Sequence, residues 1–443
     1  MIVSVFALLA AAEVSNAGND IWKAGVARIA ITPSSSTWMA GYAARTGPSV
    51  GIRTELWAKA LALEDAQGNK GLIVTMDLLS IPKDFSDQIR DEVHKKYGID
   101  NSGIILNVSH THSGPVVGNA LYHIYPMGKD DRKIVLSYTR TLARNILKVI
   151  DEAFSDMRPA KISTGNGLAR FAVNRRNNPA ASLTSVTALK GPSDYAVPVM
   201  KAEDMDGKIF AILLGYACHA TTLSDNYFSG DYPGYAQMEV ERLYPDATAL
   251  FFQGCGADQN PLPRGRVSQA IQYGKQLAAS VEEVLSNEMD IQKSSLKTCY
   301  EEIPLAFDEP KPKEELEKLA QGDDYSARWA SGMLEQQKKG PYPKTYPYPI
   351  ECWKIGSQKI FALGGEVVAG YAINLKQSYG MDSFVMGYSN DIMSYIPTAV
   401  VWEEGGYESV SAAMVYNLPA RWTSDIEATI MEAIDAMLKK NVF

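Results

Sequence analysis

Gly103-Ile104-Ile105-Leu106-Asn107-Val108 runs without a break into Ser109-His110-Thr111-His112, an apolar strand that ends abruptly in polar, reactive side chains. Four further segments share this plan. Gly71–Met76 leads into Asp77, and Ile209–Leu214 into Gly215-Tyr216-Ala217-Cys218-His219. Ala249–Phe252 leads into Gly254-Cys255-Gly256-Ala257-Asp258, and Phe384–Met386 into Gly387-Tyr388-Ser389-Asn390-Asp391. Short continuous apolar runs bounded by turn residues suit strands covered on both faces. Helical periodicity lies between them, over Phe85–Tyr97, Lys133–Phe154, Tyr235–Leu243, Val267–Leu285, Pro312–Leu319 and Ser424–Leu438. In the longest, Ile134, Leu136, Leu142, Ile146 and Ile150 recur at helical spacing. The alternation predicts an α/β fold, a mixed β-sheet core flanked by helices, with a metal site at the strand C-terminal ends. The Pro- and Tyr-rich stretch Lys338–Pro349 reads as an extended loop, a lid or an insertion boundary.

A chain of 443 residues with 46% hydrophobic and 21% charged residues is ordinary globular material, long enough to bury a core without covalent staples. The 43 basic and 51 acidic residues give a net charge of −8. Without a basic stripe to displace phosphate counterions, nucleic acid is excluded as the expected partner.

Ile2–Ala12 is an unbroken apolar run followed by Ser15 and Ala17, small residues that suit a signal-peptidase site after Ala17. No basic residue precedes the run, and it is too short to span a membrane. The expectation is a signal peptide over residues 1–17, a single domain over 18–443, a secreted or periplasmic location, and no transmembrane segment. Cys218, Cys255, Cys299 and Cys352 show no metal-binding spacing; two disulfides or four buried thiols are equally compatible with them.

The five histidines are His94, His110, His112, His123 and His219. His110 and His112 alternate across Thr111, so in an extended chain both point to one side, as half of a metal site or as one ligand beside a proton-transfer group. The bland alternative is a hydrogen-bonded structural pair. His219 follows another apolar strand and has the same two readings. His94 reads as a solvated helix residue and His123 as packing or an entrance residue.

The segment Asn107-Val108-Ser109-His110-Thr111-His112-Ser113-Gly114-Pro115 resembles the signature of the neutral ceramidases and their bacterial relatives. Further segments match in order: Ala24–Pro33 with Gly41-Tyr42-Ala43, Asn174-Arg175, Gly215–Thr221, Ser229–Ala236, Gly364–Gly370, Asn390–Tyr395 and Tyr407-Glu408. Carried over residue by residue, the resemblance implies one zinc ion per chain held by His110, His219, Glu366 and Tyr395. It also implies substrate contacts at Arg175 and Tyr407. From sequence patterns alone, Glu366 reads as an acid at a helix N-terminus and Tyr395 as a packed tyrosine. Two departures stand out. Gly256-Ala257-Asp258-Gln259-Asn260-Pro261 places Asn260, or alternatively Gln259, where the family has a serine beside the zinc, and the family's C-terminal immunoglobulin-like domain is expected to be absent after the tyrosine motif.

The function these features imply is a zinc-dependent hydrolase using activated water on an amide or ester bond, with a substrate other than ceramide itself. His112 is the expected general base and acid, while Asp258 and Asn260 orient substrate or histidines. An amide cannot become a nucleophile by losing a proton, but water attack needs no serine. Two alternatives remain: a hydrolase of glycans or glycoconjugates on the same scaffold, motivated by Tyr342–Tyr348 and the Asn and Arg residues of Asn174–Asn178, and a non-catalytic zinc- or ligand-binding protein.

Overall fold

The computed structural model describes residues 21–183, 185 and 188–441; the expected signal segment lies outside them. The principal sheet contains nine strands among the described residues. Its main path uses β1 (Trp22–Ala30), β2 (Trp57–Glu64), β3 (Lys70–Met76), β4 (Ile104–Val108), β5 (Arg158–Leu168), β6 (Ala196–Glu203), β7 (Ile209–Tyr216) and β8 (Thr248–Gln253). The order is β8-β7-β6-β5-β1-β2-β3-β4, with the short strand Asp290–Gln292 added beside β5. The outer pairs β7/β8 and β3/β4 are parallel and the pairs between them antiparallel, so the sheet is mixed as the alternation predicts.

The two ends of this order meet in space. The buried Asn107 side chain accepts from the Gln253 backbone N–H (2.8 Å) and donates to the Gly387 carbonyl (2.7 Å), joining β4 to β8 and to the loop after Met386. A second sheet, β9 (Leu296–Ala306), β10 (Thr345–Ile355), β11 (Gln358–Leu363) and β12 (Phe384–Met386), packs on the first. Leu61, Ile73, Ile105, Leu213 and Phe252 from one sheet share a core with Trp353, Ile360, Phe384 and Met386 from the other. Each of those side chains is at most 1% exposed, which accounts for the continuous apolar runs.

Helices cover the outside: α1 (Lys83–Tyr97), α2 (Lys129–Ser155), α3 (Asp231–Leu243), α4 (Val267–Ser286), α5 (Tyr325–Lys339), α6 (Ala369–Tyr379) and α7 (Ile426–Lys440). Helix α2 buries Val135, Leu142, Ile146, Val149 and Ile150, while Ile134 and Leu136, expected on the core stripe, face solvent. The buried stripe is displaced by one position at the helix start, where α2 only begins to reach the sheet.

The Lys338–Pro349 expectation needs correction. Residues 325–339 form α5, and Thr345–Pro349 open β10, whose antiparallel register with β9 runs unbroken from Thr345↔Ala306 to Ile355↔Leu296. Tyr342, Tyr346 and Tyr348 spend their hydroxyls internally, on Met333 O, Asp391 Oδ2 and Gly364 O. The four cysteines are buried free thiols, with Cys299 and Cys352 directly opposite across β9/β10. Among the described residues no helix is long and apolar enough to cross a membrane.

Candidate metal centre

His110 lies two residues beyond β4 with φ +56°, in the left-handed region. The expected extended geometry across Thr111 is therefore absent. The turn itself brings the His110 and His112 rings together, their centroids 4.9 Å apart in an edge-on arrangement. Histidine tolerates this backbone conformation better than a branched residue, and here the tertiary contacts hold it. The Ser109 N–H donates to Met76 O (2.9 Å) and His110 Nδ1 to Leu79 O (2.8 Å).

His219 follows β7 and arrives from the other end of the sheet path. Its backbone N–H donates to Gln259 O (2.9 Å) and its Nδ1 to Gly256 O (2.9 Å). The His219 ring centroid lies 4.9 Å from that of His110 and 5.5 Å from that of His112. One nitrogen from each of the three rings falls within 4.8 Å of the others.

Glu366 and Tyr395 are register partners in a two-residue parallel bridge, Glu366–Val367 against Tyr395–Ile396. Glu366 Oε2 stands 3.1 Å from both His110 Nε2 and His219 Nε2, and Tyr395 Oη is 3.4 Å from His219 Nε2. All four residues implied as ligands, together with His112, thus converge on one buried spot.

The proton inventory there favours a cation. A carbonyl oxygen only accepts, so each Nδ1 of His110 and His219 carries a proton. Burial, with Arg175 nearby, lowers His219 to about 4, so near neutral pH its Nε2 presents a bare lone pair. Burial raises the Glu366 carboxyl, but His110 and His219 outweigh it and hold the group well below its usual range. A lone pair facing a carboxylate oxygen at 3.1 Å is repulsive unless a cation lies between them. Two imidazole nitrogens, a carboxylate and a phenol oxygen form a donor set that zinc accepts.

His112 is half-buried. Its Nε2 lies 3.2 Å from His110 Nε2, its Nδ1 has no partner among the described residues, and burial, with His110 and His219 beside it, depresses its pKa well below normal. Its backbone N–H donates to Ala220 O (3.1 Å) and the Tyr42 ring covers it at 4.8 Å.

Arg175 Nη2 donates to Tyr395 Oη (3.1 Å) and Nε to Glu408 Oε1 (2.8 Å). Its guanidinium lies 5.7 Å from the Tyr395 ring and 5.8 Å from that of Tyr407. Tyr407, 41% exposed, is the outward end of this stack. Asp258 is buried behind it. Its carboxylate accepts from Asn174 Nδ2 (2.9 Å) and from the Ala369 N–H (2.8 Å) at the start of α6, while its carbonyl accepts from the Arg175 N–H (2.7 Å). Asp258 therefore ties the Glu366 segment to the Arg175 segment. Asn260, 7% exposed, contacts Thr221 rather than the histidines.

The remaining candidates fall elsewhere. His94 is exposed near Asp100, and His123 donates to Met414 O (2.5 Å). The Asn174 and Asn178 amides bond to Asp258 and to backbone carbonyls, which makes them loop braces rather than sugar contacts. Two residues escaped the sequence reading. Tyr416 donates to Glu366 Oε1, and Tyr388, at φ +49°, lies 3.4 Å from Glu366 Oε2. Tyr388 stood in a recognised strand-end loop; Tyr416 carried no sequence signal.

Comparison with known proteins identifies the family and the fold. The family model for the N-terminal part of neutral/alkaline non-lysosomal ceramidase matches residues 22–256. Neutral ceramidase A of Dictyostelium discoideum is 27% identical over 255 residues, covering 53% of this chain and 35% of the relative. Neutral ceramidase of Pseudomonas aeruginosa is 24% identical over 244 residues, covering 53% and 36%. The matched stretch thus spans about a third of these relatives' own length. The crystal structure of neutral ceramidase from Pseudomonas aeruginosa superposes with a TM-score of 0.71 at 18% identity, over 94% of this chain and 74% of that one, so the likeness of fold reaches past the family match. The chain belongs to the neutral/alkaline non-lysosomal ceramidase family.

Proposed function

We propose that the protein is a zinc-dependent hydrolase of an amide or ester bond, acting on a substrate other than ceramide. The observation that carries this reading is the convergence of His110 Nε2, His219 Nε2 and Glu366 Oε2 within 3.1 Å contacts, with Tyr395 Oη 3.4 Å from His219 Nε2. His110, His219, Glu366 and Tyr395 would hold one zinc ion per chain. Zinc bound there supplies a Lewis acid that lowers the pKa of water to about 7 and polarises a carbonyl.

The chain's own residues supply the rest. His112 is neutral near physiological pH because burial and its histidine neighbours depress it. It can therefore accept a proton from the attacking water and return it to the leaving amine or alcohol. Arg175, oriented by Glu408 and set beside the rings of Tyr395 and Tyr407, presents positive charge where an oxyanion develops. Tyr407 faces outward to meet the substrate, and Asp258 keeps Arg175 and α6 in register. Asn260 cannot serve as a nucleophile, which separates this site from one that depends on the family's serine.

Metal analysis of the purified protein should return one zinc per chain, and chelation should abolish hydrolysis of an acyl-amide and acyl-ester panel; full activity in chelator with no bound zinc overturns the reading. His112→Ala should lose at least about 100-fold in kcat while retaining metal, and wild-type turnover would refute its role as base. Export with removal of residues 1–17, leaving one domain over 18–443, belongs to the same reading. A mature N-terminus at Gly18 supports it.

A further inference from the structure

Beside the histidines lies a polar group that the chemistry above leaves unused. Thr221, 4% exposed, stands two residues beyond His219 and directly after Ala220, whose carbonyl accepts from the His112 N–H. Asn260 directly follows Gln259, whose carbonyl accepts from the His219 N–H. Backbone bonds thus fix both residues against the metal centre. Arg264 Nη1 donates to Thr221 Oγ1 (3.0 Å), and Thr221 Oγ1 lies 3.4 Å from Asn260 Oδ1.

The direction of each bond follows from the groups. A guanidinium only donates, so the Thr221 hydroxyl proton turns toward the Asn260 carbonyl oxygen. The buried Asn260 amide and the exposed Arg264 guanidinium therefore meet at one hydroxyl, and each carries further N–H donors. Nearby carboxylates are committed elsewhere. Asp225 pairs with Arg53, and buried Asp231 accepts from the backbone N–H groups of Leu223 (2.8 Å) and Tyr232 (2.6 Å). Among the described residues no carboxylate forms an ion pair with Arg264. Burial and then Asp231 raise the hydroxyl of Tyr42, the ring that covers His112, and Arg264 acts on it in the opposite direction. The edge of the site beside His112 is therefore a donor-rich corner, an amide and a guanidinium that has no carboxylate partner. A planar guanidinium fork with an adjacent N–H matches a carboxylate.

We infer that Arg264 and Asn260 bind a carboxylate on the leaving-group side of the substrate, so that the bond cleaved is the amide of an N-acyl amino acid rather than of an N-acyl amino alcohol. This rests on the hydrolase reading for the chemistry, but the carboxylate corner can be tested separately. The zinc-loaded full chain is assayed on matched N-acyl amino acids and N-acyl amino alcohols, wild type against Arg264→Met and Arg264→Lys. The wild type should prefer the acids. Arg264→Met should lower the acid-to-neutral ratio of kcat/KM about 10- to 100-fold, chiefly through KM, and Arg264→Lys should recover part of it. An unchanged ratio in Arg264→Met, or preference for the neutral series, overturns the inference.

Calorimetric titration of the same proteins with N-acetylglycinate and N-acetylethanolamine reads binding without turnover. Tighter binding of the glycinate to wild type, lost in Arg264→Met, supports the corner. Equal binding of the glycinate to both proteins, as expected if it merely ligates the metal, refutes it. Arg264-dependent binding without hydrolysis sinks the hydrolase reading alone, whereas hydrolysis without charge selectivity sinks the carboxylate corner alone.

Discussion

Replacing Tyr416 by phenylalanine removes one hydroxyl from the edge of the metal centre and leaves the ring in place. Burial raises the Tyr416 hydroxyl well above its ordinary pKa, so it keeps its proton and donates to Glu366 Oε1. That bond leaves Oε2 as the oxygen facing His110 and His219. Glu366 is 3% exposed, so solvent does not freely replace the lost donor. A hydrogen bond to a charged group contributes about 1.5–3 kcal/mol, which at about 1.4 kcal/mol per tenfold corresponds to roughly 10- to 150-fold in zinc affinity if the bond acts by orienting the carboxylate. Loss of such an outer partner elsewhere costs about 10- to 100-fold. The assay is competition for zinc against a chromophoric chelator, paired with thermal unfolding of the metal-free protein. Weaker zinc binding with little change in metal-free Tm is expected. Zinc affinity within about twofold of wild type would refute the orienting role, and a lowered metal-free Tm with unchanged affinity would reduce Tyr416 to packing.

Two further perturbations test the scaffold around the site. Asp391 is buried and accepts from Tyr346 Oη (2.6 Å), and desolvation raises its pKa from 3.8 to about 7. A raised acid contributes stability below its unfolded pKa and loses it as pH rises through the folded value, here between about pH 4 and 7. Asp391→Asn should therefore flatten the fall in urea stability from pH 4.5 to 8 by up to about 3 kcal/mol; an unchanged slope would contradict this. Gly215 at the end of β7 has no room for a side chain, because a Cβ would meet the Phe252 ring at 2.2 Å. Gly215→Ala should cost about 1–3 kcal/mol and shift the strand that delivers His219, lowering both Tm and zinc affinity. A wild-type Tm would show that β8 yields more easily than its packing implies.

Much of this molecule is legible along the chain because its local patterns agree with its global fold. The runs Gly71–Met76, Ile209–Leu214, Ala249–Phe252 and Phe384–Met386 lie in strands, and the six helical patterns lie in helices at or near their expected limits. Apolar continuity and 3.6-residue periodicity report burial directly, so these elements need no tertiary information. Lys338–Pro349 misled because Pro and Gly weigh toward loops, whereas β10 gains its stability from pairing along its length with β9.

The reactive residues were visible as types, but their meeting was implied only by the family resemblance and not by any local pattern. His110 and His219 follow strands near opposite ends of the sheet order, and long-range hydrogen bonds close that distance, among them the Asn107 bridge between β4 and β8 and the bond from the His112 N–H to Ala220 O. Glu366 faces the histidines because a two-residue bridge pairs it with Tyr395, and because Tyr416, fifty residues away, holds its other oxygen. Local sequence determined which segments would be strands, helices and polar ends. Tertiary structure decided which lone pairs share one point, because that convergence depends on long-range hydrogen bonds and sheet closure, which leave no periodic trace in the chain.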